Sequence, residues 1–339
     1  MSDYAKRLKQ EVQQDLAPRE VPIVTSVTLD GIALMKILSH AKEATPSNPV
    51  TGGLLGLDEK HVLQVTNCFP FPNRDIGEDE DGADYQMDMM RLLREVNVDN
   101  NTVGWYQTAF MGSFISESLI ETQFSYQENL TNSVCIIFDP MRSACGDLSI
   151  RAFRLTDSFM ALYKSGEFTL SKIQELNVKH SDIFTELPIR ISNPCLTRAL
   201  IAELAAGEDP RFEADGLKVN TSKYVERTLG NLCDAMDEYE GETRKFRQWA
   251  HNTQKQQARQ TQYLEERKAK DAIRKQQGLE PLPEEDTSLN PIFKPVPEPK
   301  RLDSLLLTGQ MDLYCQQIDR LAGEGLGKTL MHDSLLRNE

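Results

Sequence analysis

The apolar positions between residues 21 and 191 follow helical spacing in some stretches and strand-like alternation in others. After Asp30, the residues Leu34, Ile37, Leu38 and Ala41 recur at helical intervals. This spacing predicts an amphipathic helix that Asp30 caps and that turns its apolar face to a core.

Short strand-like segments alternate with the helical ones. Two apolar runs flank the polar turn 58–60 and predict a hairpin, and a second helix is predicted over 84–96. Further strands are predicted near residues 103–106, 134–138 and 148–152. The pattern predicts a mixed α/β (α+β) domain in which helices flank a sheet with prominent antiparallel pairing.

A heptad pattern begins after Gly216, in a stretch that has no proline from residue 212 to 280. Its apolar or small residues recur at alternating steps of four and three: Val225, Leu229, Leu232, Met236, Tyr239, Thr243, Phe246 and Ala250. We therefore predict one long amphipathic helix over 216–280. Its last part, 254–277, loses the pattern and is rich in Gln, Lys and Arg.

A second seam follows the six prolines of residues 281–299. It consists of Leu307, Met311, Tyr314, Ile318 and Leu321, and we expect Gly323, Gly325 and Gly327 to end its helix before a short terminal one. The predicted organisation is an N-terminal extension (1–20), a globular domain (21–215), the long helix (216–280), a Pro-rich linker (281–300) and C-terminal helices (301–339).

The two seams have two interpretations. They pack back on their own globular domain, or they join helices of other chains in a bundle. Thr243 and Ala250 are weak core residues, and the second seam lies beyond a proline linker. Both features favour packing between chains.

Composition restricts the partners. The chain has 339 residues, a net charge of -14 and six scattered cysteines. There is no apolar run of 18 residues and no signal-peptide pattern at the N-terminus, so we expect a cytoplasmic protein with no membrane partner. The acidic balance favours protein partners, and a weak mRNA or rRNA contact is expected only at 254–277, where a solvated helix face is the alternative.

One stretch, Gly104-Trp105-Tyr106-Gln107-Thr108, is similar to a family motif, as are the glycine-rich run 52–56 and the segments 139–140 and 152–155. Together they resemble the MPN domain over roughly residues 21–200. The resemblance implies a curved sheet between helices. In hydrolytic members it also implies a zinc site, built from two histidines and a carboxylate, that cleaves isopeptide bonds.

The residues at those ligand positions differ here. By the family's spacing, Gln107 and Ala109 stand at the two histidines, Glu117 at a serine and Ile120 at the aspartate ligand, and the general base falls near Pro49 or Val50. No zinc ligand set remains. We expect no metal, no cofactor and no enzymatic activity.

Further stretches at 66–72, 85–91, 123–127, 282–286 and 301–306 resemble a non-catalytic MPN subunit of eukaryotic translation initiation factor 3. This resemblance implies a scaffold that supports assembly of the complex and recruits mRNA and the 43S preinitiation complex. The implied partners are the other MPN subunit (f), the PCI-domain subunits through a helical bundle, and the 40S ribosomal subunit through the complex.

Two alternatives belong to other classes. One is a metal-dependent deubiquitinating isopeptidase with an atypical site, against which Gln107, Ala109 and Ile120 argue. The other is an MPN pseudoenzyme of a proteasome-lid or signalosome assembly, against which the match at 282–286 argues.

Overall fold

A computed structural model describes residues 23–43, 45, 48–72, 82–99, 101–143, 148–206, 222–276, 293–294 and 296–337. The predicted N-terminal extension, most of the Pro-rich linker and the predicted boundary at 215/216 lie outside these residues. Two compact units contain the chain. The first comprises residues 1–110, 121–155 and 185–216, and the second comprises 111–120, 156–184 and 217–339.

Eight strands form one sheet in the order β7-β6-β5-β4-β2-β3-β1-β8. Pairing is antiparallel for β2 with β3, β2 with β4 and β5 with β6, and parallel for β1 with β3, β1 with β8 and β4 with β5. The strands are β1 (Ser26–Asp30), β2 (Thr51–Glu59), β3 (Val62–Pro70), β4 (Thr102–Thr108), β5 (Val134–Phe138), β6 (Ile150–Leu155), β7 (Phe184–Leu187) and β8 (Ile189–Ser192). The predicted mixed sheet is confirmed.

Nine α-helices and a 3-10 turn (His180–Asp182) accompany the sheet within the described residues. They are α1 (Gly31–Ala41), α2 (Gly82–Glu95), α3 (Glu117–Asn129), α4 (Pro140–Ser143), α5 (Asp157–Ser165), α6 (Leu170–Glu175), α7 (Cys195–Ala206), α8 (Ser222–Gln276) and α9 (Leu302–Arg337). No helix among these residues is both long and apolar enough to cross a membrane.

The core of the first unit lies where α1 covers the sheet. Leu34, Ile37 and Ala41 of α1 are buried there, and Leu38 packs against the same cluster, as their spacing predicts. Asp30 occupies the N-cap position, but its side chain makes no capping hydrogen bond. Its backbone pairs with β8 as the last residue of β1, so β1 and β8 fix the start of this helix.

The second unit contains the C-terminal helices. The predicted long helix is confirmed as α8, whose 55 residues run without interruption, and α9 packs against it. The predicted helix end at Gly323, Gly325 and Gly327 is wrong, because α9 continues to Arg337. None of these glycines has the left-handed backbone that ends helices, and their cost of about 1 kcal/mol each in a helix is too small to impose an end.

Candidate functional site

The motif strand β4 lies in the middle of the sheet. Gly104, Trp105 and Tyr106 are all buried. A Cβ at Gly104 would lie 2.0 Å from the carbonyl oxygen of Val134, so the close approach of β5 excludes any side chain there. The motif therefore forms core structure in this chain.

Trp105 begins a buried hydrogen-bond network. Its indole N–H donates to Gln123 Oε1 at 2.8 Å, and Gln123 Nε2 donates to the Ser133 carbonyl at 3.2 Å and to Gln127 Oε1 at 3.3 Å. Gln127 then bonds both backbone groups of Leu155, at 2.9 and 3.1 Å. Two glutamines of α3 thus connect β4 with β5 and β6, a role that sequence reasoning missed.

Tyr106 pairs with a histidine. Its hydroxyl donates to His40 Nδ1 at 2.9 Å when both groups are neutral. Burial lowers the pKa of His40, against a smaller opposing effect of Glu43, and burial also raises the pKa of the Tyr106 hydroxyl. The fold therefore favours the neutral pair.

This pair predicts acid sensitivity. Because His40 has a lower pKa when folded, the unfolded chain binds the proton first, so its stability contribution is lost as pH falls below about 6.5. We expect the urea midpoint of the first unit to fall between pH 7.5 and 5.5, and to fall less in His40→Gln. His61→Gln, at an exposed histidine of the same unit, is the control and should keep the full fall. An unchanged pH slope in His40→Gln would contradict the assignment.

The first two family ligand positions lie at the end of β4. Gln107 is half-buried, and Ala109 is buried with its backbone N–H bonded to the Phe138 carbonyl at 2.8 Å. The general-base position falls on Pro49 or on Val50, which is buried and whose N–H donates to Thr108 Oγ1 at 2.9 Å. None of these residues offers an imidazole or a carboxylate.

The other two positions lie in the second unit. Glu117 is exposed in the first turn of α3, and the Ile120 side chain is fully buried. One amide and one exposed carboxylate do not fit zinc, which takes imidazole, thiolate and carboxylate ligands. In the part of the chain that is described, no group of three or more His, Cys, Asp or Glu residues could hold a metal ion.

The turn Met111–Ser116, after the motif, is held by a residue almost 200 positions away. Gln310 of α9 accepts hydrogen bonds from the N–H groups of Ile115 at 3.1 Å and Phe114 at 3.4 Å, and donates to the Gly112 carbonyl at 2.8 Å. Gly112 has a φ of 77°, and a Cβ there would meet the Gln317 amide at 1.7 Å. We call this contact the Gln310 clamp.

The clamp was not predicted from sequence, although a signal exists. Gln310 and Gln317 stand seven residues apart on α9, and both are buried, as is Tyr314 between them. Of the predicted second seam, Tyr314 and Leu321 are buried, whereas Leu307, Met311 and Ile318 are half-buried. Buried glutamines beside an apolar seam are a signal of specific backbone recognition.

The first seam lies on a largely exposed side of α8. Leu229, Met236 and Tyr239 are 44%, 55% and 38% exposed, while Val225 and Leu232 are half-buried; we call these five residues the α8 stripe. Phe246 and Thr243 are also half-buried, and Ala250 is exposed. The buried positions of this half of α8 are Tyr224, Thr228 and Ala235.

Comparison with known proteins adds the family. Residues 22–132 match the family model described as JAB1/Mov34/MPN/PAD-1 ubiquitin protease, and residues 143–339 match that of the C-terminal region of eIF3h. A protein of Arabidopsis thaliana, named as the eIF3h component of eukaryotic translation initiation factor 3, is 45% identical over 341 residues, covering 100% of both chains. The chain belongs to the eIF3h family.

Other eIF3h relatives span most of the chain. The protein from Nematostella vectensis is 38% identical and covers 91% of this chain and 93% of its own length. That from Xenopus laevis is also 38% identical, with 94% and 96% covered. The similarity to eIF3h extends through both the MPN domain and the C-terminal helices.

Proposed function

We propose that this chain is a non-catalytic scaffold subunit of translation initiation factor 3 that acts in the cytoplasm. It supports assembly of the complex and recruitment of mRNA and the 43S preinitiation complex. Membership of the eIF3h family supports the role in initiation. The observation that carries the scaffold role is the α8 stripe, which exposes apolar residues beside a buried helix face.

The stripe fits the proposed helical bundle with PCI-domain subunits. Its residues follow the buried positions Tyr224, Thr228 and Ala235 by one residue, which rotates them by about 100° around the helix axis. α8 thus has one buried apolar side and a second one that is open. The end of α9 adds exposed apolar residues at Leu326, Leu330 and Met331.

The first unit has surfaces suited to pairing with the other MPN subunit (f). Ile32 and Met35 of α1 are 45% and 42% exposed. On α7, Leu196, Leu200 and Ile201 are exposed as well. Exposed apolar side chains that share a helix face are a common feature of protein interfaces.

An RNA contact at 254–277 is a weaker part of the proposal. Lys255, Arg259, Lys268 and Lys270 are exposed on α8. Their positive charges suit phosphate groups, but Glu265 and Glu266 lie among them. The 40S ribosomal subunit is proposed as a partner through the complex as a whole.

The non-catalytic role predicts an absence of zinc. Gln107, Ala109 and Ile120 supply one weak amide ligand where hydrolytic MPN proteins have two imidazoles and a carboxylate. We expect metal analysis of the purified protein to give far less than one zinc per chain. A ratio near one, with isopeptide cleavage abolished by a chelator, would favour the deubiquitinase alternative.

Affinity purification from the native cytosol tests the proposal as a whole. We expect a tagged full-length chain to co-purify with initiation factor 3 subunits and 40S ribosomes. Recovery of proteasome-lid or signalosome subunits instead would support the pseudoenzyme alternative, which the eIF3h relatives do not favour.

A further inference from the structure

The segment just before α9 lies along the C-terminal half of α8. We call Phe293, Lys294 and Val296–Arg301 the strap. The Val296 carbonyl accepts a hydrogen bond from the Trp249 indole at 3.3 Å, and the Lys294 carbonyl accepts one from Gln256 Nε2. The strap therefore contacts α8 through its backbone as well as its side chains.

Aromatic contacts hold both ends of the strap. At one end, the Phe293 and Tyr263 rings meet edge to face with centroids 6.0 Å apart. At the other, the Arg301 guanidinium lies 3.7 Å above the centre of the Phe246 ring, which itself packs on Trp249 at 5.2 Å. A cation over an aromatic face is a favourable contact.

These contacts require an extended strap. From Phe246 to Tyr263, α8 rises about 26 Å at about 1.5 Å per residue. A polyproline II segment from residue 293 to 301 spans about 25 Å at about 3.1 Å per residue. The two lengths agree, with the strap running antiparallel to the helix. The sequence has proline at 295, 297 and 299, and proline favours this extended conformation.

The face that receives the strap has the composition of a peptide-binding surface. Phe246, Trp249, Gln256 and Tyr263 are separated by three, seven and seven residues, so they share one side of α8. Aromatic rings supply contact area, and the indole N–H and the amide bind the backbone carbonyls that a polyproline II peptide leaves free.

We propose that this face of α8 is a binding site for an extended proline-containing peptide. The chain's own strap fills the site in cis, and a free peptide of the same chemistry binds there in trans once the strap is removed. The site also accounts for the polar part of α8, 254–276, which has no heptad seam and yet forms continuous helix. Its aromatic side is taken by the strap and is closed to stacking with RNA bases.

Tryptophan quenching tests this proposal in the full-length chain. The protein has two tryptophans, and Trp105 is 3% exposed, so acrylamide quenching reports mainly on Trp249. In a strap variant with Phe293→Gly, Val296→Gly, Pro297→Ser and Pro299→Ser, we expect the quenching constant to rise about twofold as the indole leaves its contacts. Trp249→Phe confirms the assignment of the signal.

A peptide of residues 293–301, added to the strap variant, should reverse the rise and saturate at about 100 μM, as expected for a short peptide. Tyr263→Ala should weaken this binding at least about fivefold by removing the Phe293 contact, whereas Tyr239→Ala, on the α8 stripe, is the matched control and should leave it unchanged. Quenching that is unaffected by the strap changes would overturn the proposal. Reversal by single-stranded RNA but not by the peptide would also overturn it, and would make this face a nucleic-acid site.

Discussion

Replacing Leu229 and Met236 together by aspartate is expected to release this chain from its complex while leaving it folded. Both side chains are about half exposed on α8, so charge there costs little in the isolated chain. In a helical bundle the same carboxylates would be buried without partners, which costs several kcal/mol per group. Recovery of other initiation factor 3 subunits with the tagged variant should fall at least about tenfold.

The matched control for this variant is Ile273→Asp. Ile273 is 54% exposed on the same helix but lies outside the α8 stripe. Circular dichroism should show the same helix content for wild type, variant and control, and only the stripe variant should lose its partners. Full recovery of the complex with the stripe variant would mean that other surfaces hold this subunit. Loss of helix content would mean that the stripe is part of the chain's own core.

Gln310→Leu is expected to destabilise the second unit by about 3 kcal/mol or more. The Gln310 clamp satisfies two backbone N–H groups and one carbonyl of the turn Met111–Ser116, and leucine satisfies none. Each buried polar group left without a partner costs about 1–3 kcal/mol. The thermal midpoint of the second unit should therefore fall by several degrees.

Hydrogen exchange of the turn gives the sharper measurement. We expect the Phe114 and Ile115 amides to exchange faster in Gln310→Leu, because both lose their acceptor. Gln316→Leu is the control, since exposed Gln316 bonds only to Asp312 of its own helix within the described contacts. Equal exchange in the two variants would show that the clamp does not hold the turn. This experiment also tests whether α9 is required for the fold, independently of its partners in the complex.

Local pattern was sufficient to predict most elements. The hairpin of β2 and β3, the helix α1 and the uninterrupted α8 follow from apolar spacing and from the positions of proline, which act within a few residues. The same kind of argument failed at Gly323–Gly327, because glycine lowers helix propensity only slightly and does not by itself end a helix.

The candidate site divides in the same way. That Gln107, Ala109 and Ile120 cannot form a zinc site depends on residue identity, so the sequence was sufficient to predict it. The boundary proposed at 215/216 is a linear division, whereas the compact units group residues 111–120 and 156–184 with the C-terminal helices. Such grouping depends on contacts between distant parts of the chain.

Residue identity and short-range spacing were enough to establish the family, the sheet-and-helix class and the loss of the metal ligands. Which side of α8 is buried became known only from the packing of the folded chain, since two adjacent apolar stripes of one helix are nearly equivalent in sequence. The partners of Gln310 and of the strap also emerged from that packing. Backbone groups carry no sequence signature, and a side chain that binds them across almost 200 residues is visible only once the chain has folded.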